Sequence, residues 1–185
     1  MLRALLRPWS GSVYRHVAVG RRRGMLDETY LGVARDNRWN REGTPAYYFA
    51  SDLAVTVAEF ARHLAAELPD GTSERLARSV WRVQVTLDAS LDLTDPDVVA
   101  AAGAPPITDW ILDRAVTRAT AEYLRAQLPG LQALVVPSIA FLDRRDRPNL
   151  VVYRDRIDPG TTFGTPVRVR KLVIEAAGRE EEPPE

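Results

Sequence analysis

The sequence predicts an α+β fold: one domain over residues 1–177, with a mostly antiparallel, twisted sheet and flanking helices, followed by an acidic tail at 178–185. Three observations carry that expectation. Six or so short segments read as strands, with Ser12–Ala18, Val80–Leu87 and Val167–Ile174 alternating with a period of two, and two or three others read as helices. These segments do not alternate strand–helix–strand, so a parallel doubly wound sheet is not indicated. At 185 residues and 45% apolar composition, the chain suits one domain that buries about 70% of its unfolded surface.

Taken in order, Ser12 to Ala18 reads as a strand, with Val13, Arg15 and Val17 on one face and Tyr14, His16 and Ala18 on the other. The charged loop that follows contains Arg21-Arg22-Arg23, read as a solvated face or a means of recruiting an anionic partner. Thr44 to Ala50 is short, aromatic and strand-like. Ser51 or Asp52 caps a helix running to about Glu67, which Pro69-Asp70-Gly71 terminates. Val80 to Leu87 alternates as a half-buried strand, and Leu91 to Pro96 leads into a short helix through Ala102. Asp109 is expected to cap a longer helix ending near Leu128. Ala133–Val136, Asn149–Tyr153 and Val167–Ile174 complete the strands. The acidic, proline-containing tail is expected to be disordered.

Composition narrows the chemistry. Lys+Arg and Asp+Glu both number 25, giving a formal net charge of zero, which argues against direct nucleic acid binding or attachment to an anionic membrane. No cysteine is present, which removes disulfides, thiolate metal sites and thiol nucleophiles. Lys171 is the only lysine against 24 arginines, but the accompanying abundance of Ala and Pro fits a GC-rich coding bias and names no ligand. Residues 1–9 are interrupted by Arg3, Arg7 and Pro8, so neither a signal peptide nor a membrane span is expected, and the chain reads as cytoplasmic. The glycine fingerprints of dinucleotide and P-loop folds and the G-x-S-x-G elbow are missing. His16 and His63 lack zinc-protease spacing, and no metal is expected.

Four stretches remain: Tyr14-Arg15; Arg38-Trp39-Asn40-Arg41-Glu42-Gly43-Thr44-Pro45-Ala46-Tyr47-Tyr48; Glu59 in the following helix; and Pro137-Ser138 with Asn149-Leu150-Val151-Val152-Tyr153. Together they resemble the RES-domain family, named for an arginine, a glutamate and a serine. The likeness runs from about Tyr14 to Asp155, and R-W-N-x-x-G-x-P-x-Y-Y is its specific part. Asn37 stands where the family usually has glycine. Asparagine tolerates left-handed backbone better than most residues.

The resemblance implies a fold similar to ADP-ribosyltransferase toxins and an NAD-consuming toxin of a type II toxin–antitoxin pair. Such a protein cleaves the nicotinamide–ribose bond of NAD+ by hydrolysis, phosphorolysis or ADP-ribosyl transfer. Its implied partner is a helix-turn-helix antitoxin, and homo-oligomerisation is left open. The resemblance marks Arg38 and Glu59 as catalytic and Arg15, Arg38, Tyr48 and Ser138 as NAD-binding. The chemistry is consistent: guanidinium forks match a pyrophosphate, a phenol ring can stack on cationic nicotinamide, and a carboxylate can stabilise an oxocarbenium-like sugar. Ser138 would hydrogen-bond ribose or the nicotinamide amide.

The residues alone leave other readings open. Arg15 suits a surface ion pair, Arg38 can pack over indole, Tyr47 and Tyr48 suit a core, and Ser138 can simply end a strand. Each histidine alone suits a structural or solvated role. On a helical wheel Glu59 lies opposite the stripe formed by Leu53, Val57, Phe60, Ala61, Leu64 and Leu68, beside Val55, Arg62, His63 and Ala66. Pairing with Arg62 or His63 is its ordinary role there. A non-catalytic nucleotide-binding or interaction domain and a ribonuclease toxin are the competing functions, the latter disfavoured by zero net charge and only two histidines.

Overall fold

The computed structural model describes residues 2–19, 24–29, 31–33, 37–104 and 106–177. The arginine run at 21–23 and the tail at 178–185 lie outside the described residues.

Six strands form one mixed sheet: β1 (Arg7–Ala18), β2 (Ala46–Ala50), β3 (Ser73–Asp92), β4 (Ala133–Pro137), β5 (Pro148–Tyr153) and β6 (Val167–Ala177), in the order β1-β2-β5-β4-β3-β6. An additional β1–β3 pairing joins the sheet back on itself, so β1, β2, β5, β4 and β3 form a closed circuit and β6 extends from β3. Among the described residues only the β3–β4 pairing is parallel. The helices are α1 (Leu53–Glu67), α2 (Pro96–Ala101), α3 (Arg114–Gln127) and the short α4 (Pro159–Thr162). The expected α+β class is therefore the observed one.

β1 begins at Arg7 rather than Ser12 and β6 runs on to Ala177 rather than Ile174, and the bounds of β3 and α3 differ further from the sequence expectation. β3 spans 20 residues rather than Val80 to Leu87. One edge pairs with β1 across Arg78 to Ser90, and the other takes β6 along its first half and β4 at its end. Residues 73–77 carry little apolar alternation because they stand largely exposed; pairing with β6 extends them. In α3 the cap is Asp113, whose carboxylate accepts from Ala115 and Val116 N–H at 2.8 and 3.1 Å. Asp109 instead ends a 3-10 turn, after which Trp110 and Ile111 enter the core.

The circuit has a weak point that creates the site. β1 and β2 share a single residue pair, Tyr14 with Ala50, whereas β1 pairs with β3 at eleven positions. β2, β5 and β4 are paired along their whole lengths. Tyr14, Ala50, Asn149 and Val136 consequently form one row across four strands. Residues alternate between the sheet's faces, so Tyr14 and His16 share a face with Tyr48, Ala50, Asn149 and Val151. Arg15, Tyr47 and Phe49 face the other way. α1 is capped by Asp52, whose carboxylate accepts from Val55 N–H at 2.8 Å. It buries Phe60 and Leu64 against Ile174 and Ala176 of β6. Val55 and Thr56 are buried as well, so α1 is covered on more than the one stripe the wheel indicated.

Candidate functional site

A cavity of about 720 Å³ opens where β1 and β2 part, and α1 lines it with Thr56, Glu59, Phe60, His63 and Glu67. Thr56 and Glu67 are 11 positions apart, or about 16 Å at the helical rise. Arg15, Arg38 and Tyr48 line the same cavity. Four of the five residues marked in the sequence thus share one space. Glu59 does not stand in bulk water; its side chain keeps 23% of its exposure.

Glu59 is held by one of its oxygens. Oε1 accepts from Ser138 Oγ at 2.6 Å, Ile139 N–H at 2.8 Å, Asn149 Nδ2 at 3.0 Å and Ala140 N–H at 3.4 Å. Pro137 ends β4, and the chain turns at Ser138 into a 3-10 turn whose first N–H groups point at the carboxylate. Oε2 lies 3.6 Å from Arg62 Nε. Charge-assisted hydrogen bonds of this kind fix a carboxylate strongly. Oε1 is the anchored oxygen, and Oε2 is the one that meets Arg62.

Ser138 itself departs from the ligand-facing position expected for it. It is fully buried, does not line the cavity, and spends its hydroxyl proton on Glu59. Arg15 is among the residues lining the cavity, but its guanidinium is turned to the opposite face of β1, where Nη1 donates to the Met25 carbonyl at 2.6 Å and the guanidinium carbon lies 5.7 Å from the Tyr47 ring centre. Burial lowers its pKa first of all, partly offset by Tyr47 and Asp27.

Arg38 Nη1 donates to the carbonyl of Ile111. Its pKa is lowered by burial and by the neighbouring Arg114 and Arg62, and raised by Glu59 and Tyr48. The indole stacking considered for Arg38 is not what Trp39 does: Trp39 is buried, 6.1 Å edge-on from Trp110. Asn40 is buried too, and it pins the loop. Its Nδ2 donates to the carbonyls of Thr44 (2.8 Å) and Arg41 (3.2 Å), while Oδ1 accepts from the Tyr48 hydroxyl at 2.6 Å. The same hydroxyl accepts from Trp39 N–H at 3.0 Å. Tyr48 therefore has its polar end fixed and its ring on the cavity. Tyr47, on the opposite face, is wholly buried.

The glycines of this loop are structural. Gly32, at φ +76°, lies so close to Thr44 and Pro45 that a Cβ would come within 3.0 Å of backbone, and its carbonyl accepts from Gly43 N–H at 2.8 Å. Asn37 needs no left-handed backbone: no described non-glycine residue has positive φ. Its carbonyl accepts from Arg118 Nε at 2.9 Å.

With this geometry established, comparison with known proteins is decisive. The RES-domain family model matches residues 13–174. The chain belongs to the RES-domain family. Its structure is similar to a chain of the M. tuberculosis MbcT–MbcA toxin–antitoxin complex, with a TM-score of 0.63 and 23% identity over 91% of this chain and 89% of that one. At that identity the likeness concerns the fold. No curated protein matches the sequence.

Several residues of this RES domain gained their significance only from the structure. Asn149 belongs to the N-L-V stretch, but its bond to Glu59 depends on β5 pairing with β4. Arg62, by contrast, is the partner of Glu59 that the sequence already indicates at i+3. Arg114 reaches the cavity because Asp113 starts α3 there. No sequence signal marks the backbone N–H groups of Ile139 and Ala140. Among the described residues no helix is long and apolar enough to cross a membrane.

Proposed function

We propose that this RES domain is the toxin of a type II toxin–antitoxin pair and that it cleaves the nicotinamide–ribose bond of NAD+ in the cytoplasm. The observation that carries the reading is the anchoring of Glu59: four donors converge on Oε1, and Glu59 lines a cavity together with Arg15, Arg38 and Tyr48. As neutral nicotinamide leaves, positive charge develops at the ribose C1′, and a carboxylate held in one orientation stabilises it without reorganising. The ring of Tyr48 supplies a stacking surface for the departing pyridinium. Arg38, with Arg62 and Arg114 beside it, offers positive charge to the pyrophosphate. Ser138 acts through Glu59 rather than on the substrate. Its role is positioning. The acceptor of the ADP-ribosyl group is water, phosphate or a protein side chain. The proposed protein partner is a helix-turn-helix antitoxin that covers the cavity, in keeping with family membership and with the toxin–antitoxin complex to which the fold is similar.

The test is nicotinamide release from NAD+ by the purified protein, with and without phosphate, beside Glu59→Gln. Release that falls about 100- to 1,000-fold in the variant, with its unfolding transition unchanged, is the expected result. NAD+ binding without release by the wild-type protein would instead identify a non-catalytic nucleotide-binding domain.

A further inference from the structure

β6 is the outermost strand of the sheet: among the described residues it pairs with β3 along one edge and with no strand along the other. Its backbone groups can be oriented from its neighbours. Val19 N–H donates to the Ala77 carbonyl at 3.4 Å, so Ala77 turns its backbone groups to the β1 side of β3. In an antiparallel ladder, opposed residues alternate between pairs that exchange hydrogen bonds and pairs that do not. Ala77 with Val173 is thus a pair without them, and Val173 points its N–H and C=O away from β3. Lys171 and Glu175, two positions to either side in unbroken register, do the same.

The side chains of these three residues also share one face. α1 packs against the other face, over Leu172, Ile174 and Ala176. On the open face Val173 keeps 56% of its exposure, and Ala77 and Val19, which follow it across the sheet, are exposed as well. An apolar row therefore ends at an open edge, and such edges are templates for pairing with another chain.

The edge is complementary to itself. When two copies pair about a two-fold axis, residue i meets residue j and j meets i. Centred on Val173, antiparallel pairing sets Val173 opposite its own copy and Lys171 opposite Glu175 on both sides of the axis. The outward backbone groups of all three residues are then satisfied, and on the other face Leu172 meets Ile174. Centring on Lys171 or Glu175 would oppose like charges, and centring on Leu172 or Ile174 would set both charges against valine or alanine. The irregularity between Val80 and Trp81, opposite Arg170 and Arg168, bends the ladder and bounds the pairable stretch.

We propose that the free edge of β6 is a homodimer interface, in which two copies of this chain pair antiparallel with Val173 at the two-fold axis and Lys171 against Glu175. The inference does not depend on the NAD+-cleaving reading.

Sedimentation velocity over a concentration series, on the full chain, compares wild-type protein, K171E and the charge exchange K171E/E175K. Wild-type protein is expected to reach twice the 20.6 kDa chain mass. K171E, which opposes glutamates at both sides of the axis, is expected to weaken the dimer about 10- to 100-fold. The exchange restores it. Lys171 and Glu175 are exposed, so an unchanged unfolding midpoint is expected in both variants. A wild-type protein that stays monomeric overturns the proposal, and so does a dimer that K171E leaves intact or that the exchange fails to restore. Amide exchange gives a second readout on the wild-type chain: Val173 N–H is protected at concentrations where the dimer forms and loses protection on dilution. A dimer in which that amide exchanges as fast as in the monomer overturns the proposal too.

Discussion

The two sides of the cavity differ in how completely their polar groups are satisfied. On the Glu59 side, Asn40 holds the Tyr48 hydroxyl, and Ser138, Asn149 and two backbone N–H groups hold one carboxylate oxygen. The strands there are fully paired. On the β1 side, pairing to β2 is reduced to one position, and His16 keeps an unpartnered buried nitrogen. Preorganised donors belong where charge must be stabilised without delay, because they need not reorganise during reaction. The contrast teaches that the side holding the carboxylate is rigidly satisfied, while the β1 side, paired to β2 at one position, is where the strands part and the cavity opens.

The most forceful way to break it is to loosen the carboxylate. In the double variant Ser138→Ala, Asn149→Ala, Glu59 Oε1 keeps only its backbone donors. Nicotinamide release is expected to lose about 100-fold in kcat, with KM changing much less, since orientation matters most in the transition state. Steady-state kinetics checks this, and a larger change in KM than in kcat would contradict it.

Asn40→Ala strikes the same side through its scaffold. It leaves the carbonyls of Thr44 and Arg41 and the Tyr48 hydroxyl without their present partner. Losing these part-buried hydrogen bonds and the packing of a buried side chain costs about 1–2 kcal/mol, readable as a lowered urea midpoint with an unchanged slope.

On the β1 side, His16 should make stability depend on pH. Burial, followed by Arg78, Arg15 and His63, brings its folded pKa down to about 4, below the ordinary 6.5. Above pH 6.5 neither state binds the proton, and His16 contributes no slope. As pH falls from 6.5 towards 4, the unfolded chain takes up a proton that the folded chain refuses, so stability declines. About 1–2 kcal/mol is expected to be lost between pH 7 and 5 in wild-type protein beyond the loss in H16Q. Parallel pH profiles of the two proteins would show that His16 is not held neutral.

How much of this was legible in the sequence follows the same division. The alternation of Tyr47 and Tyr48 correctly separates a buried ring from one facing the cavity. The run from Arg38 to Tyr48 marks a loop whose residues the structure ties together, although it could not show that Asn40 is its central tether. Glu59 was ambiguous on the wheel because the cover on its side comes from β4, β5 and the turn after Ser138, segments about 80–90 residues away. The partition between Arg15 and His16 was available from strand periodicity. Which face carries the cavity was not, because that depends on the single pairing of Tyr14 with Ala50. Asp109 and Asp113 are both competent caps, and the burial of Trp110 and Ile111 between them decides in favour of the second.

The smallest expected effect sharpens the comparison by marking where the site stops. His63 and Glu67 line the outer stretch of the cavity and approach to 3.2 Å, a geometry that on paper suggests an acid–base pair. Their side chains keep 49% and 61% of their exposure, and no described hydrogen bond anchors either to another element. Exposed pairs one helical turn apart contribute little, because water screens the attraction and two long side chains must be ordered. Glu67→Gln is therefore expected to shift stability by less than about 0.5 kcal/mol and to leave kcat for nicotinamide release unaltered. A loss of kcat approaching that of the Ser138→Ala, Asn149→Ala double variant would mean that the reacting centre extends along α1 to its last turn. Glu59 would then not be the only carboxylate acting on the sugar.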